Sequence, residues 1–352
     1  MRVIQVLSEL NYGDAIGNNA IAIDKIINDA GIETELYADR INTRVTSERI
    51  KPFSELSILN KNDILLYHFA TYFGKNLRSF GGRLIFQYHN ITPSHYFEQY
   101  DSGAVYGCEL GQQELKSYND APVLCWADSV YNKQELIKNG YACPIHVIPI
   151  LVPFEDYEKP ADVRTLEKYN DEYVNFLFVG RVVPNKAIED VIRIFAWYQL
   201  HINPACRLFI VGNMNMDSYV NRLRRYISAL KVKNVIFLGH INFSEILAYY
   251  QIADIFLCMS RHEGFCVPLL EAMYFQIPII ARDTSAIPYT LGGAGVIVED
   301  NEPIMNALLA NEILINKTFR QTIITGQNNR LKEFSQEKVS QMILHELEQL
   351  MQ

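Results

Sequence analysis

Short apolar strand patterns alternate with helical ones twice along this chain of 352 residues, and a proline-spaced polar break separates the two runs. In the first run, residues 2–8, 32–38, 63–67, 83–88, 122–127 and 145–148 read as strands. Helices at 17–30 and 130–139 end at Gly31 and Gly140. In the second run, residues 174–179, 205–211, 234–238, 254–259 and 278–281 read as strands, with helices at 217–230 and 268–275. Such alternation builds a parallel sheet covered by helices on both faces. Between the runs, Pro149, Pro153 and Pro160 stand among Glu155, Asp156, Glu158 and Lys159, so residues 149–171 read as a linker. The chain is also too long for one ordinary core. The expected architecture is α/β, with two doubly wound domains at residues 1–155 and 172–335. A last helix at 336–352 sets Val339, Ile343, Leu347 and Leu350 on one face, which suits packing into a core.

Composition removes several classes of function. Hydrophobic residues at 49% and charged ones at 20% describe a globular chain rather than a disordered one. No run of about 18 apolar residues is present, so no transmembrane helix is expected. The first residues form a strand pattern and lack a signal-peptide cleavage site. Six cysteines without a Cys-x-x-Cys pair indicate neither a zinc site nor a disulfide framework, and they point to a reducing cytoplasm. A net charge of -8 argues against nucleic acid as a partner.

The chemistry gathers at residues 260–273. A short strand leads into a glycine-bearing loop that delivers Glu263, then Gly264, Phe265, Cys266 and Val267, and a helix opened by Pro268. Backbone amides at that helix start favour an anion. Glu271 lies about one turn further on, and helical side chains lean back toward the N-terminus. Two carboxylates and an amide nest suit a ligand that is phosphate in the middle and hydroxyl-rich at both ends, such as a nucleotide sugar. The spacing Glu-x7-Glu, set in Glu-Gly-Phe-Cys-Val-Pro-Leu-Leu-Glu-Ala-Met, resembles the donor-site motif of retaining glycosyltransferases of family 4, which have the GT-B fold. A second segment, Gly180-Arg181-Val182-Val183-Pro184-Asn185-Lys186, is similar to that family's Gly-Arg-x4-Lys, though Ala187 stands where relatives usually have glycine.

The resemblance implies two Rossmann-like domains facing a central cleft, with the C-terminal helix crossing back to the first. It implies that Arg181, Lys186 and the 265–267 amides hold the donor diphosphate. Glu271 would accept from the ribose and Glu263 from the donor sugar. His89, in Gln87-Tyr88-His89-Asn90 after an apolar strand, matches a family histidine that faces the sugar. Gly239, His240 and Ile241 match backbone lying against the base. Gly13 and Gly17, in the loop after the first strand, resemble the family's glycine-bearing first loop, and an ordinary capped turn is the alternative. Replacing Glu271 by alanine is expected to abolish nucleotide binding and leave the fold intact.

The implied partners are a nucleotide-diphosphate sugar and a glycan or lipid-linked acceptor, and the implied task is surface polysaccharide or lipopolysaccharide assembly, with mannose or rhamnose donors favoured. No cofactor or metal is expected, since no Asp-x-Asp occurs in the chain. Aromatic and basic residues at 67–100 fit either a core with one solvated edge or an acceptor or membrane surface, so peripheral contact at the inner face of the membrane stays open. A GT-B phosphorylase, a sugar-nucleotide epimerase and a non-catalytic partner subunit remain as rival readings. Both glutamates sit on one loop–helix unit rather than flanking a substrate, which disfavours a two-carboxylate hydrolase.

Overall fold

The computed structural model describes residues 1–11, 13–43, 45, 49–299 and 302–351; Tyr12 of the first loop and Gln352 of the expected last helix lie outside the described residues. The chain divides into two compact units. One comprises residues 1–95 and 102–153 with the chain from Phe334 onward, the other Tyr96–Asp101 with Phe154–Glu333.

In the first unit the elements run β1 (Val3–Leu10), α1 (Ala15–Asp29), β2 (Thr34–Ile41), β3 (Ile50–Pro52), β4 (Ile64–Phe69), β5 (Arg83–Tyr88), α2 (Ser102–Ser117), β6 (Leu124–Ala127), α3 (Val130–Lys138) and β7 (Ile145–Val147). Among the described residues these strands form one sheet in the order β3-β2-β1-β4-β5-β6-β7, and every pairing is parallel. β1 and β4 are buried on both faces, which is why they are mostly apolar, with Gln5 and Ser8 of β1 and His68 of β4 as buried polar exceptions. Pro52 is tolerated because β3 is an edge strand.

The second unit continues with α4 (Val163–Lys168), β8 (Val174–Val179), α5 (Ile188–His201), β9 (Cys206–Val211), α6 (Asp217–Leu230), β10 (Val235–Gly239), α7 (Phe243–Ile252) and β11 (Ile255–Cys258). It ends with α8 (Val267–Tyr274), β12 (Ile279–Arg282), α9 (Ile287–Leu291), β13 (Val296–Val298), α10 (Pro303–Ile315) and α11 (Lys317–Leu331). Its sheet, also parallel, has the order β10-β9-β8-β11-β12-β13. The last helix, α12 (Gln336–Met351), belongs with the first unit. Its Val339, Ile343 and Leu347 are fully buried against Ile23 and Ile27 of α1, with Ile64, Ile85 and Trp126 in the same cluster.

Two features differ from the sequence reading. The stretch 149–171 is ordered beyond Pro153: Asp162 accepts from the Thr165 amide at 2.7 Å and so starts α4. The Asp162 amide in turn donates to the Ser244 carbonyl on α7 at 2.9 Å. Tyr96–Asp101 leaves the first unit for the second, where the Tyr100 carbonyl accepts from Ser218 Oγ at 3.1 Å. Of the aromatic stretch, Tyr67, Phe69, Phe73, Phe86 and Tyr88 are core. Lys75 and Arg78 pair with Asp39 and Asp120. The core reading of these residues is the one seen. No helix among the described residues is long and apolar enough to cross a membrane.

If α12 is structural in this way, Ile343→Ala lowers the stability of the first unit by about 2–5 kcal/mol. Gln349→Ala on the exposed face changes it by less than about 0.5 kcal/mol. Denaturant unfolding of the two variants checks this, and equal effects would count against the packing described.

Candidate functional site

In the second sheet the strand order reverses between β8 and β11, and the loops leaving their carboxyl ends diverge there. A crevice at such a point is where open parallel sheets bind ligands. Both motif segments lie in those two loops, residues 180–187 after β8 and 259–266 after β11. Gly212, at the end of β9, lets the first loop pass. A Cβ there would lie 2.0 Å from the Gly180 carbonyl oxygen. The Val182 amide then donates to the Asn213 carbonyl at 2.8 Å.

The two loops are stitched to each other. The Arg261 amide donates to the Asn185 carbonyl at 2.7 Å, and Asn185 Nδ2 donates to the His262 carbonyl at 3.2 Å. Lys186 Nζ reaches both carboxylate oxygens of Glu263 at 2.6 Å each, with both side chains largely buried. Thus two residues expected to meet diphosphate and sugar separately are held as one ion pair. Arg181, by contrast, is exposed, and its side chain has no ion pair or hydrogen bond among the described residues.

Hydroxyls and arginines fix the second loop from behind. Ser285 Oγ accepts from the Glu263 amide at 2.8 Å, Thr284 Oγ1 donates to the Ser260 carbonyl at 2.7 Å, and Thr290 Oγ1 donates to the Phe265 carbonyl at 2.5 Å. Asp190, fully buried on the first turn of α5, meets Arg261 at 3.1 Å and Arg282 at 3.2 Å, and pairs with Arg193. Sequence reasoning missed Asn185, Asp190, Thr284, Ser285 and Thr290. Their signal, short polar residues at strand ends and helix starts, is too common to single them out.

The helix α8 starts without a side-chain cap; Pro268 has no N–H to offer, and the Leu269 amide donates to the Cys266 carbonyl at 3.0 Å. Cys266 precedes it in the left-handed region, φ 73°, ψ 67°. Glu271, one turn in, accepts from Tyr157 Oη at 2.9 Å and from Tyr250 Oη. Burial pushes its carboxyl up, against the pull of the Tyr250 and Tyr157 hydroxyls. Each oxygen keeps a second lone pair, so the tyrosines orient the carboxylate without saturating it. Gly239 closes β10 with φ 70° and accepts from the Gly212 amide at 3.0 Å; His240 is exposed and Ile241 half-buried after it. Gly264, Phe265 and Val267 lie in the second loop and its entry to α8.

The remaining expected residues are in the first unit. Gly13 occupies an exposed turn with φ 72°. Gly17 lies inside α1, where a Cβ would meet Leu10 Cδ1 at 2.9 Å, so it serves helix-to-strand packing and not a ligand-facing turn. His89 points inward with its side chain 1% exposed. Its Nδ1 meets Asp128 Oδ2 at 2.7 Å and its Nε2 meets His68 Nδ1 at 3.0 Å. Both ring nitrogens are used, which corrects the expectation of a ring offered to the donor sugar.

Residues 160–330 match the family model described as "Glycosyl transferases group 1". The chain is 27% identical over 192 residues to the capsular polysaccharide biosynthesis glycosyltransferase CapM of Staphylococcus aureus, covering 52% of this chain and 48% of that protein. It thus spans about half the length of this curated relative. Among solved structures, a sucrose-phosphate synthase from Thermosynechococcus elongatus superposes with a TM-score of 0.78 at 16% identity, covering 99% of both chains. The Anabaena protein HepE in complex with UDP-glucose gives 0.77 at 17%, covering 99% of this chain and 100% of that one. These likenesses are of fold, the GT-B kind with two Rossmann-like parallel-sheet domains.

Two expectations follow from the site. Glu271→Ala leaves two tyrosine hydroxyls without their acceptor, at about 1–3 kcal/mol each, so the variant is expected to fold with lower stability. Glu271→Gln keeps an acceptor and loses less, so thermal unfolding ranks wild type, then glutamine, then alanine. Ala187 is fully buried with φ 48° and ψ 48°, a conformation that costs a side-chain-bearing residue about 1–2 kcal/mol. Ala187→Gly is therefore neutral or stabilising by up to about 1 kcal/mol, whereas Ala187→Val destabilises by more. An Ala187→Gly variant that melts well below wild type would contradict this.

Proposed function

We propose that this protein transfers a sugar, with retention of configuration, from a nucleotide-diphosphate donor to a hydroxyl of a glycan or lipid-linked acceptor. The observation that carries this reading is the convergence, at the reversal of the second sheet, of one unpaired guanidinium, an ion-paired lysine and a helix start without a side-chain cap. The name of the Staphylococcus aureus relative supports a surface polysaccharide as the product, assembled on the cytoplasmic side of a membrane.

The chemistry follows from where charge develops. As the bond between sugar and diphosphate lengthens, negative charge grows on the leaving phosphate and the sugar becomes oxocarbenium-like. Arg181, exposed and without a competing carboxylate, neutralises that growing charge, and preorganised charge of this kind is the main catalytic tool of such a site. Lys186 adds a second cation whose position is fixed by both oxygens of Glu263. The amides from Phe265 to Val267, at the entry to α8, receive phosphate oxygens. Glu271, held by two tyrosines, accepts from the ribose hydroxyls through its remaining lone pairs. The acceptor hydroxyl attacks the same face that the phosphate leaves, and its proton passes to that phosphate, so no protein nucleophile is needed and none of these steps requires a metal.

A thermal-shift screen against GDP, UDP and dTDP tests the reading. One of them, at about 100 times its Kd, adds about 2.7 kcal/mol and raises the melting temperature. Arg181→Ala lowers turnover about 10²–10³-fold and changes stability by less than about 0.5 kcal/mol. Should no nucleoside diphosphate move the melting temperature of the folded protein, the proposal fails.

A further inference from the structure

The second loop holds a pair of thiols beside Glu263 that the glycosyl-transfer reading does not use. Cys258 ends β11 and Cys266 precedes α8, and their sulfurs lie 3.8 Å apart. Glu263 offers a carboxylate oxygen to the same spot. The two sulfurs and that oxygen all lie within 4.8 Å of one another, and all three residues are buried. Ser260 Oγ stands 3.7 Å from Cys258 Sγ.

We propose that Cys258, Cys266 and Glu263 bind a thiophilic divalent cation such as Zn²⁺ or Cd²⁺, and that its binding inhibits donor use. Three arguments support the site. A tetrahedral ion with bonds of about 2.3 Å to sulfur holds two thiolates about 3.8 Å apart, so the sulfurs need little movement. Three protein ligands leave one position open, as at exchangeable zinc sites rather than closed structural ones. Charge also balances. Two thiol protons leave as one divalent ion arrives, and the Glu263 carboxylate keeps its Lys186 counter-ion, so the buried cluster stays neutral and avoids the cost of an uncompensated charge. Hard ions such as Mg²⁺ prefer oxygen ligands and are excluded by the two sulfurs.

Inhibition follows because the ion takes one Glu263 oxygen while Lys186 keeps the other, which loosens the two-pronged hold on Lys186 and stiffens the loop between Cys258 and Cys266. That consequence rests on the function proposed above; the binding itself does not. The other close thiol pair, Cys125 and Cys143 at 3.6 Å, has no third ligand beside it among the described residues and serves as an internal control.

Cd²⁺ titrated into the full-length reduced protein, without donor, is expected to give a thiolate-to-metal absorbance band in the ultraviolet that saturates at one ion per chain. Mg²⁺ gives none. Cys258→Ser and Cys266→Ser each remove the band, while Cys125→Ser with Cys143→Ser leaves it. Glu263→Gln, which keeps both thiols and guards against a misfolded cysteine variant, weakens binding at least about tenfold, the scale on which even supporting partners act. After chelation, all six cysteines titrate as thiols in denaturant. A band that follows Cys125 and Cys143, a Glu263→Gln protein with unchanged affinity, or thiols lost to a disulfide would each overturn the proposal. If the band appears as described but no transferase activity is found, the site stands and the functional reading falls.

Discussion

Lys186 and Glu263 come from the ends of two neighbouring strands, and their two-pronged ion pair is what turns two loops into one site. The contacts are 2.6 Å to each oxygen, with side chains 17% and 8% exposed. Such a pair gains little over apolar packing, but removing one partner leaves a desolvated charge, which typically costs about 3–5 kcal/mol. Its value therefore lies in position. It fixes an ammonium at the crevice in a known place while keeping the cluster neutral. The backbone bonds between Asn185, Arg261 and His262 do the same for the main chain.

Around that pair the structure tolerates backbone conformations that side-chain-bearing residues rarely adopt. Ala187, Cys266 and Ser285 all carry positive φ, at 48°, 73° and 48°, and all three flank the two loops. Strained backbone persists only where surroundings over-determine it, and here the determinants can be named. Asp190 binds three arginines behind the second loop. The hydroxyls of Thr284, Ser285 and Thr290 take up the loop's polar groups. Local conformational cost is thus offset by buried polar contacts that no single loop could make alone.

Strands, their order of use and the main loops were legible in the sequence because buried parallel strands are continuous apolar runs bounded by turn residues. The chain could be read to the carboxyl edge where Arg181, Lys186, Glu263 and Glu271 stand. What could not be read was how side chains at that edge engage one another. Lys186 and Glu263 are 77 positions apart, and nothing in either segment signals a mutual bond. Tyr157 lay in what looked like a linker, so its hydroxyl on Glu271 was invisible. Gly17 looked like a loop glycine but sits inside α1, because the helix begins two residues earlier and needs a bare Cα against Leu10.

The two sheets share one topology at the point where strand order reverses, and yet they fill it with opposite chemistry. In the first unit Gln5 of β1 bonds His68 of β4 at 2.8 Å, His68 meets His89, and His89 meets Asp128. Asn19 Nδ2 donates to Gln87 at 3.2 Å, and Asn19 Oδ1 accepts from the Leu151 amide at 2.8 Å. Burial holds the His68 ring far below its usual range, hence neutral, and pushes the Asp128 carboxyl up. Nothing in that chain resembles a phosphate clamp. A buried polar network satisfied member by member rigidifies the edge it underlies. Cations gather at the reversal of the second sheet, whereas neutral polar order underlies the reversal of the first.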